Sequence, residues 1–179
     1  MISDTAWKDR PTLSVWVYDS PRGAAAGQTR LTRLSQRGAV AVVDAVTVTW
    51  VGGAHRPRIG FPHAGPLGGL TGLDRRPLGV LLGRLLFPQA DDADGPAALA
   101  QVLGPTGVDE QFLRQVRDAL VPDTSALLVL SRRAALDDVR EVMERGVARG
   151  DVRLLHAVLT ADALPVVEAL ARPDGSWRA

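Results

Sequence analysis

Residues 106–130 constrain the fold more than any other segment, because they encode a helix with a defined start and face, followed by a buried strand. Asp109 is placed as the N-cap, where its carboxylate accepts hydrogen bonds from unpaired backbone N–H groups. Val108 and Leu113 flank this cap at the spacing of a hydrophobic staple. The continuous apolar run at 126–130 predicts a strand with both faces buried. The inner stripe of the helix is predicted to consist of Phe112, Leu113, Val116, Ala119 and Leu120.

Composition narrows the possible functions. The 179 residues match the length of one domain, and their net charge of +1 provides no field that would attract nucleic acid. Cysteine is absent, which excludes disulfides, thiolate metal sites and cysteine nucleophiles. The N-terminus lacks the long apolar core of a signal peptide, so we expect a cytoplasmic protein. No nucleic-acid partner is expected.

The N-terminal part predicts a strand, a helix and a second strand. Bulky residues alternate over 13–18, which indicates a central strand, and residues 40–51 form a longer β-branched run. Between them, Ser20 followed by proline has the pattern of a helix N-cap, and Gly38 ends the helix. Residues 58–61 are expected to return as the second arm of a hairpin. The inner stripe of the helix is predicted to be Ala24, Gly27, Leu31 and Leu34.

Two groups of polar side chains in this part are candidates for ligand binding. Arg30, Arg33 and Arg37 share one side of the predicted helix, a pattern more typical of a solvated face than of an anion site. His55 and His63 flank the hairpin arm, with no carboxylate or third histidine placed beside them. The sequence therefore predicts no metal site.

The middle of the chain is rich in glycine and leucine, with glycines spaced for close helix packing. Gly68 with Gly72, and Gly79 with Gly83, are each four residues apart. A membrane span needs about 20 mainly apolar residues, and charged residues interrupt this block, so membrane insertion is not the favoured interpretation. A short helix over 78–87 is predicted, with apolar residues on more than one face. We expect this helix to be buried against the rest of the chain or against a partner.

The C-terminal part adds a helix over 136–147, a strand over 152–159 and a last helix over 162–171. With an insertion at about 52–105 between the second and third core strands, the order predicts an α+β fold. This fold is an α/β sandwich with a ferredoxin-like βαββαβ core and an extra C-terminal helix. Bulky side chains occur on both faces of the first two strands. This pattern predicts that inserted helices or another subunit cover the second face of the sheet. The predicted organisation is a flexible arm at 1–10, one domain at 11–172 and a tail at 173–179.

A family signature runs through the helix and strand described first. It consists of Gly107, Val108, Asp109, Glu110, Phe112, Leu113, Val116, Leu120, Pro122, Ser125, Ala126, Leu127, Leu128 and Leu130. With this signature the chain resembles the uncharacterised bacterial family "domain of unknown function 1269". Asp123 stands where that family usually has glycine. Family members are often labelled predicted membrane proteins because of the glycine-rich block, which is shorter here and interrupted by charge. The resemblance implies no catalytic residues, because none are established for the family.

No catalytic constellation is evident in the sequence, which has no Walker loop, G-x-S-x-G elbow or dinucleotide fingerprint. We therefore predict a non-enzymatic protein without a cofactor that self-associates or binds a partner protein through its inserted helices. One alternative is a small-molecule carrier or sensor with an apolar pocket between the sheet and the inserted helices, lined by Trp16, Tyr18 and Trp50. Another is a protein bound peripherally to a membrane. The predicted interaction or pocket residues are Leu78, Leu81, Leu82, Leu85, Leu86, Phe87, Trp16 and Trp50.

Overall fold

A computed structural model of the chain describes residues 10–62, 76–87 and 95–169. The predicted arm, apart from Arg10, and the predicted tail at 173–179 lie outside the described residues. The described elements are β1 (Thr12–Tyr18), α1 (Gly23–Gln36), β2 (Val40–Thr49), β3 (Arg58–Gly60), α2 (Pro77–Leu86), α3 (Gly95–Leu103), a 3₁₀ turn (Gly104–Thr106), α4 (Glu110–Ala119), β4 (Ser125–Ala134), α5 (Leu136–Arg149), β5 (Val152–Val158) and α6 (Ala163–Ala169).

The five strands form one antiparallel sheet in the order β3-β2-β4-β1-β5. This sheet and the six α-helices of the described residues confirm the α+β class predicted from the sequence. Strand β4 is longer than the apolar run at 126–130, because its polar end continues to pair with β2 as far as Ala134 opposite Val40. The apolar run itself is buried throughout, as expected for a strand covered on both sides.

Helices cover both faces of the sheet, and β1 shows how the faces divide. Leu13, Val15 and Val17 belong to a core cluster that includes residues of α2, α3, α4 and α6. Trp16 and Tyr18 alternate with them and belong to a second cluster that includes residues of α1 and α5. The predicted cover of the second face therefore exists, and it is supplied by helices of the same chain.

Helix α1 has the predicted inner stripe but a different N-terminal cap. It begins at Gly23, with no side-chain hydrogen bond from the residue before it. The hydroxyl of Ser125 in β4 accepts a hydrogen bond from the N–H of Ala24 at 2.9 Å and donates one to the carbonyl of Ser20 at 2.6 Å. The expected cap by Ser20 is thus wrong, because a serine distant in sequence occupies the capping position and fixes the helix to the sheet. The buried residues of the helix are Ala24, Gly27, Leu31 and Leu34, as predicted.

The α4–β4 segment follows its sequence closely. The Asp109 carboxylate accepts a hydrogen bond from the N–H of Phe112 at 2.7 Å, which confirms the predicted N-cap. In the turn before β4, Asp123 has a φ of 67°, a left-handed conformation that favours glycine. Its carboxylate accepts a hydrogen bond from the N–H of Gly52 at 2.8 Å. This turn is therefore attached to the end of β2 by a side chain.

Helix α2 is fixed to the sheet by Asp44 of β2, a buried carboxylate that interrupts the apolar first part of the strand. One oxygen of Asp44 accepts a hydrogen bond from the N–H of Leu78 at 3.1 Å, and the other accepts from Ala45 at 2.8 Å. The guanidinium of Arg76 lies 3.8 Å from the carboxylate and 5.2 Å from the centre of the Phe61 ring. A carboxylate at a helix N-terminus is favoured by the helix dipole. In the described part of the chain, no helix has the length and apolar character needed to cross a membrane.

Candidate ligand cleft

A cleft of about 260 Å³ opens between α1 and α5, beside the C-terminal end of β1. Tyr18, Gly23 and Arg30 line one side of it, and Gly146 of α5 lines the other. A second hollow of about 560 Å³ shares Arg30, Gly146 and Arg149 with this cleft and extends along α5. The other residues of the cleft wall are Asp19, Ser20, Ala26, Arg149, Asp151 and Val152.

Two glycines of α1 allow the ring of Tyr18 to lie against the helix. A Cβ atom at Gly23 would collide with the Cβ and ring of Tyr18, and one at Gly27 would lie 2.5 Å from the phenol oxygen. The two glycines are one helical turn apart, so together they leave a flat surface for the aromatic ring. As a result, only 5% of Tyr18 is exposed, although it forms part of the cleft wall.

The hydroxyl of Tyr18 has no hydrogen-bond partner that it can donate to among the described residues. Burial raises the pKa of Tyr18, and the neighbouring guanidinium of Arg30 acts in the opposite direction. The phenol is therefore protonated at neutral pH. Because a guanidinium has only donors, Arg30 cannot accept the phenol proton. Tyr18 thus forms part of the cleft wall, with its O–H buried against Gly27 and beside the cation of Arg30.

Opposite charges lie close together at the rim of the cleft. Arg149 donates from Nε to the Asp151 carboxylate at 2.5 Å, and both residues are exposed. Asp19 is also exposed on the cleft wall, and its backbone N–H donates to the carbonyl of Asp151 at 3.1 Å. Arg30 forms no ion pair with any described residue. The guanidinium of Arg30, which is more buried than that of Arg149, is therefore not neutralised by a described carboxylate.

The indole N–H of Trp16 is also buried without a partner among the described residues. Trp16 packs under the same two helices as Tyr18 but is not part of the cleft wall. Its position corrects the predicted pocket between the sheet and the inserted helices, because side chains alternate along β1 and place both aromatics on the opposite face. Trp50 is half-buried beyond the end of β2, where its indole N–H donates to the carbonyl of Ala54 at 3.0 Å. The three aromatics therefore do not converge on α2.

The apolar residues at 78–87 that are predicted as an interaction surface divide into two groups. Four of them face the sheet and are buried in the core, where each contributes roughly 1.5–3 kcal/mol of stability. The four are Leu78, Leu81, Leu82 and Leu85. They are not accessible to a partner, because the chain itself covers them. Leu86 and Phe87 are half-buried at the end of the helix.

The predicted close-packing glycines also differ from one another. A Cβ atom at Gly79 would lie 3.0 Å from the ring of Phe61, so this glycine does admit a close neighbour. A Cβ atom at Gly83 would meet no described atom within 4 Å. Gly68 and Gly72 lie outside the described residues. Two of the four predicted close-packing glycines are described, and of these two only Gly79 is closely packed.

Part of the cleft was within reach of sequence reasoning. Tyr18 was a predicted pocket residue, and Arg30 belongs to the arginine group weighed as an anion site. The contribution of α5, including Gly146 and Arg149, left no local signal, because only the folded chain brings α5 beside α1. Asp44 did leave a signal, since a carboxylate interrupts an apolar strand sequence.

Among the residues that the structure describes, the remaining candidates for ligand chemistry give no second site. His55 is exposed and His63 lies outside the described residues. His156 is largely exposed on β5, and the partial burial of its ring, followed by the charge of Arg140, lowers its pKa. No group of three histidine, cysteine, aspartate or glutamate side chains that could hold a metal ion occurs among the residues described.

The fold and the cleft define an α+β protein with a sheet covered on both faces and a polar cleft between two helices of one face. Residues 76–166, just over half of the chain, match the model of the family described as "Protein of unknown function (DUF1269)", and the chain belongs to this family. The match begins at α2 and includes α5, whereas β1 and α1, which carry Tyr18 and Arg30, precede it. No curated protein and no solved structure matches the chain.

Proposed function

We propose that this chain is a non-enzymatic binding protein, a carrier or sensor that holds a small molecule in the cleft between α1 and α5. The observation that carries this proposal is the hydroxyl of Tyr18, which is buried in the cleft wall with no described acceptor. An unsatisfied buried polar group costs about 1–3 kcal/mol, and most such groups in proteins are paired. A ligand acceptor would satisfy the donor.

The size of the cleft suits a small ligand. Pockets for drug-sized molecules have volumes of about 300–1,000 Å³. The volume of about 260 Å³ next to Tyr18 falls just below this range. The second hollow along α5 shares part of its wall with this cleft.

We also propose that the scaffold is a ferredoxin-like core with an insertion. The strand order β2-β4-β1-β5 and the antiparallel pairing of each neighbour support this topology. The packing of α1 and α5 against the same face of the sheet supports it as well. An experimentally determined structure in which β1 and β4 are not adjacent would contradict it.

The binding proposal can be tested by native mass spectrometry of freshly purified protein. We expect a retained small molecule in the wild type and loss of most of it in Tyr18→Phe, which removes only the hydroxyl. Thr32→Val is a matched control on α1, because the Thr32 hydroxyl is already bonded to the carbonyl of Gln28 at 3.0 Å and is not part of the cleft wall. A wild type without any retained molecule, or equal retention in Tyr18→Phe, would count against the proposal.

Self-association through the inserted helices is a second proposal, and it is favoured by the space at Gly83, where a Cβ atom would meet no described atom within 4 Å. Because the four core leucines are occupied, such an interface would use Val80, Leu86 and Phe87, which are half-buried. Light scattering of the wild type and of Leu86→Arg would test this interface. A monomer in both cases would exclude it, whereas Leu82→Arg is unsuitable because it places a charge in the core.

A further inference from the structure

We infer that the ligand of the α1–α5 cleft is a small organic monoanion bound through its carboxylate. This inference depends on the proposed binding function and adds the chemical class of the ligand. It is based on the donors in the cleft, on the carboxylates at its rim and on the remaining wall.

The donors in the cleft complement a carboxylate. Tyr18 offers an O–H for which the described residues supply no acceptor, and Arg30 offers a guanidinium without a described ion-pair partner. A guanidinium is always charged in proteins and presents a planar fork of N–H groups that matches the two oxygens of a carboxylate. The phenol O–H is buried behind the cleft wall, against Gly27 and next to this guanidinium, and would become a further donor if the Tyr18 ring moves on binding. Together the two groups favour a planar acceptor with negative charge.

The carboxylates around the cleft favour a single negative charge on the ligand. Asp19 and Asp151 are part of the cleft wall, and Glu141 and Glu144 line the adjoining hollow. Arg149 and Asp151 pair with each other, so Asp19 is the carboxylate of the cleft wall outside that pair, and Arg145 lies with the two glutamates in the hollow. A dianion such as a phosphate monoester would gain the attraction of Arg30 but would also meet these negative groups.

The N-terminus of α1 does not provide free backbone N–H groups at Gly23 and Ala24 for a phosphate. The N–H of Gly23 donates to the carbonyl of Ser20 at 3.2 Å, and the N–H of Ala24 donates to Ser125. Phosphate sites at helix termini use backbone N–H groups that point at the ligand. Here the first two groups of the helix are already bonded within the chain.

The rest of the wall suits a short apolar body. Gly23, Ala26 and Gly146 expose little more than backbone and a methyl group, and Val152 adds an aliphatic side chain. The small volume restricts the body to a short aliphatic chain or one ring. The ligand class is therefore a small monocarboxylate with an apolar substituent.

The test compares carboxylates with neutral and dianionic probes of matched shape. Acetate, butyrate and benzoate are titrated into the full chain and followed by NMR chemical shifts, beside acetamide, butyramide, benzamide and phenylphosphonate. At least one carboxylate is expected to bind about tenfold or more tightly than its amide, because a hydrogen bond to a charged group is stronger than one to a neutral group. Arg30→Gln and Tyr18→Phe are each expected to reduce carboxylate affinity by a similar factor. Arg33→Gln, the same substitution on the exposed side of α1, is expected to have no effect.

Different failures separate this inference from the proposed function. Amides that bind as tightly as their carboxylates, a preference for phenylphosphonate, or an Arg30→Gln variant with unchanged affinity would overturn the carboxylate class. In those cases the cleft would still be a binding site if Tyr18→Phe abolished probe binding or retention. If no probe binds and no molecule is retained, both proposals are wrong. Should Arg30→Gln fail to fold, Arg30→Lys keeps the charge without the planar fork, and it is expected to bind carboxylates less tightly than the wild type.

Discussion

The carboxylate of Asp44 accepts a hydrogen bond from the backbone N–H of Leu78 at 3.1 Å, although 34 positions separate the two residues in the chain. This bond joins β2 to the first turn of α2. It occurs inside the core, where a carboxylate must be bonded to several donors to be tolerated. The contact explains how an insertion between two core strands returns to cover the sheet.

Removal of the Asp44 carboxylate is expected to destabilise the protein. Asp44→Ala leaves the N–H groups of Ala45 and Leu78 and the guanidinium of Arg76 without this acceptor, so we expect the free energy of unfolding to fall by about 3 kcal/mol. Urea unfolding followed by circular dichroism measures the change. Asp118→Ala removes an exposed carboxylate from α4 and is the matched control, with an expected change within about 0.5 kcal/mol. Equal stability of the two variants would contradict the role assigned to Asp44.

The stability of the protein should also carry a pH dependence from Asp44. Burial raises the pKa of Asp44 above its usual 3.8, and the N–H groups of Leu78 and Ala45 and the charge of Arg76 offset this only in part. Between 3.8 and the raised pKa, the folded state binds more protons than the unfolded state, so the contribution of Asp44 to stability falls as pH rises through this window. The free energy of unfolding of the wild type minus that of Asp44→Asn is therefore expected to decrease as pH rises from about 4. Denaturant unfolding of both proteins at several pH values gives this difference, and a constant difference would show that Asp44 does not titrate as described.

The left-handed turn at Asp123 predicts an order of stability among three variants. Asp123→Ala loses the hydrogen bond to Gly52 and keeps the unfavourable φ of 67°, so we expect a loss of about 2 kcal/mol. Asp123→Gly also loses the bond but adopts this φ without steric cost, so a loss of about 1 kcal/mol or less is expected. Asp123→Asn retains an acceptor oxygen and tolerates the same conformation, and should stay close to the wild type. Thermal unfolding ranks the variants, and an alanine variant as stable as the glycine variant would contradict the assignment.

Two helical glycines should respond in opposite directions to the same substitution. Gly83→Ala adds a methyl group where no described atom lies within 4 Å, and it is expected to raise the free energy of unfolding by about 0.5–1 kcal/mol. Gly27→Ala places the methyl group 2.5 Å from the Tyr18 hydroxyl, so overpacking is expected to cost about 1–3 kcal/mol. Urea unfolding of the two variants side by side checks the signs. A stabilising Gly27→Ala would show that α1 does not lie against the phenol ring.

Sequence reasoning was accurate wherever the cause of a structure is local. The cap at Asp109, the inner stripe of α1 and the hairpin arm that became β3 depend on residues close to one another in the sequence, the hairpin pairing Thr47 with Gly60. It was wrong about Ser20, because the donor groups of α1 are satisfied by Ser125 across the sheet. It identified the apolar helix later described as α2 but could not decide what would cover it.

The candidate site was predictable only in fragments, for a related reason. The sequence marks Tyr18 as a pocket candidate and Arg30 as part of a possible anion site. Alternation along β1 decides that Tyr18 faces α1 and α5 rather than the inserted helices. Chain periodicity fixes which residues share a face and leaves open which element will pack against that face.

The sequence by itself therefore determined the α+β class, the helix and strand periodicities, the cap of α4 and membership of a family through one helix-to-strand signature. Tertiary structure alone decided that α2 closes over the sheet through Asp44 and that α1 and α5 form a cleft around an unpaired phenol. The physical reason is the range of the interactions. Capping and amphipathic patterns act over one or two helical turns, whereas the choice of a packing partner depends on burial summed over the whole core.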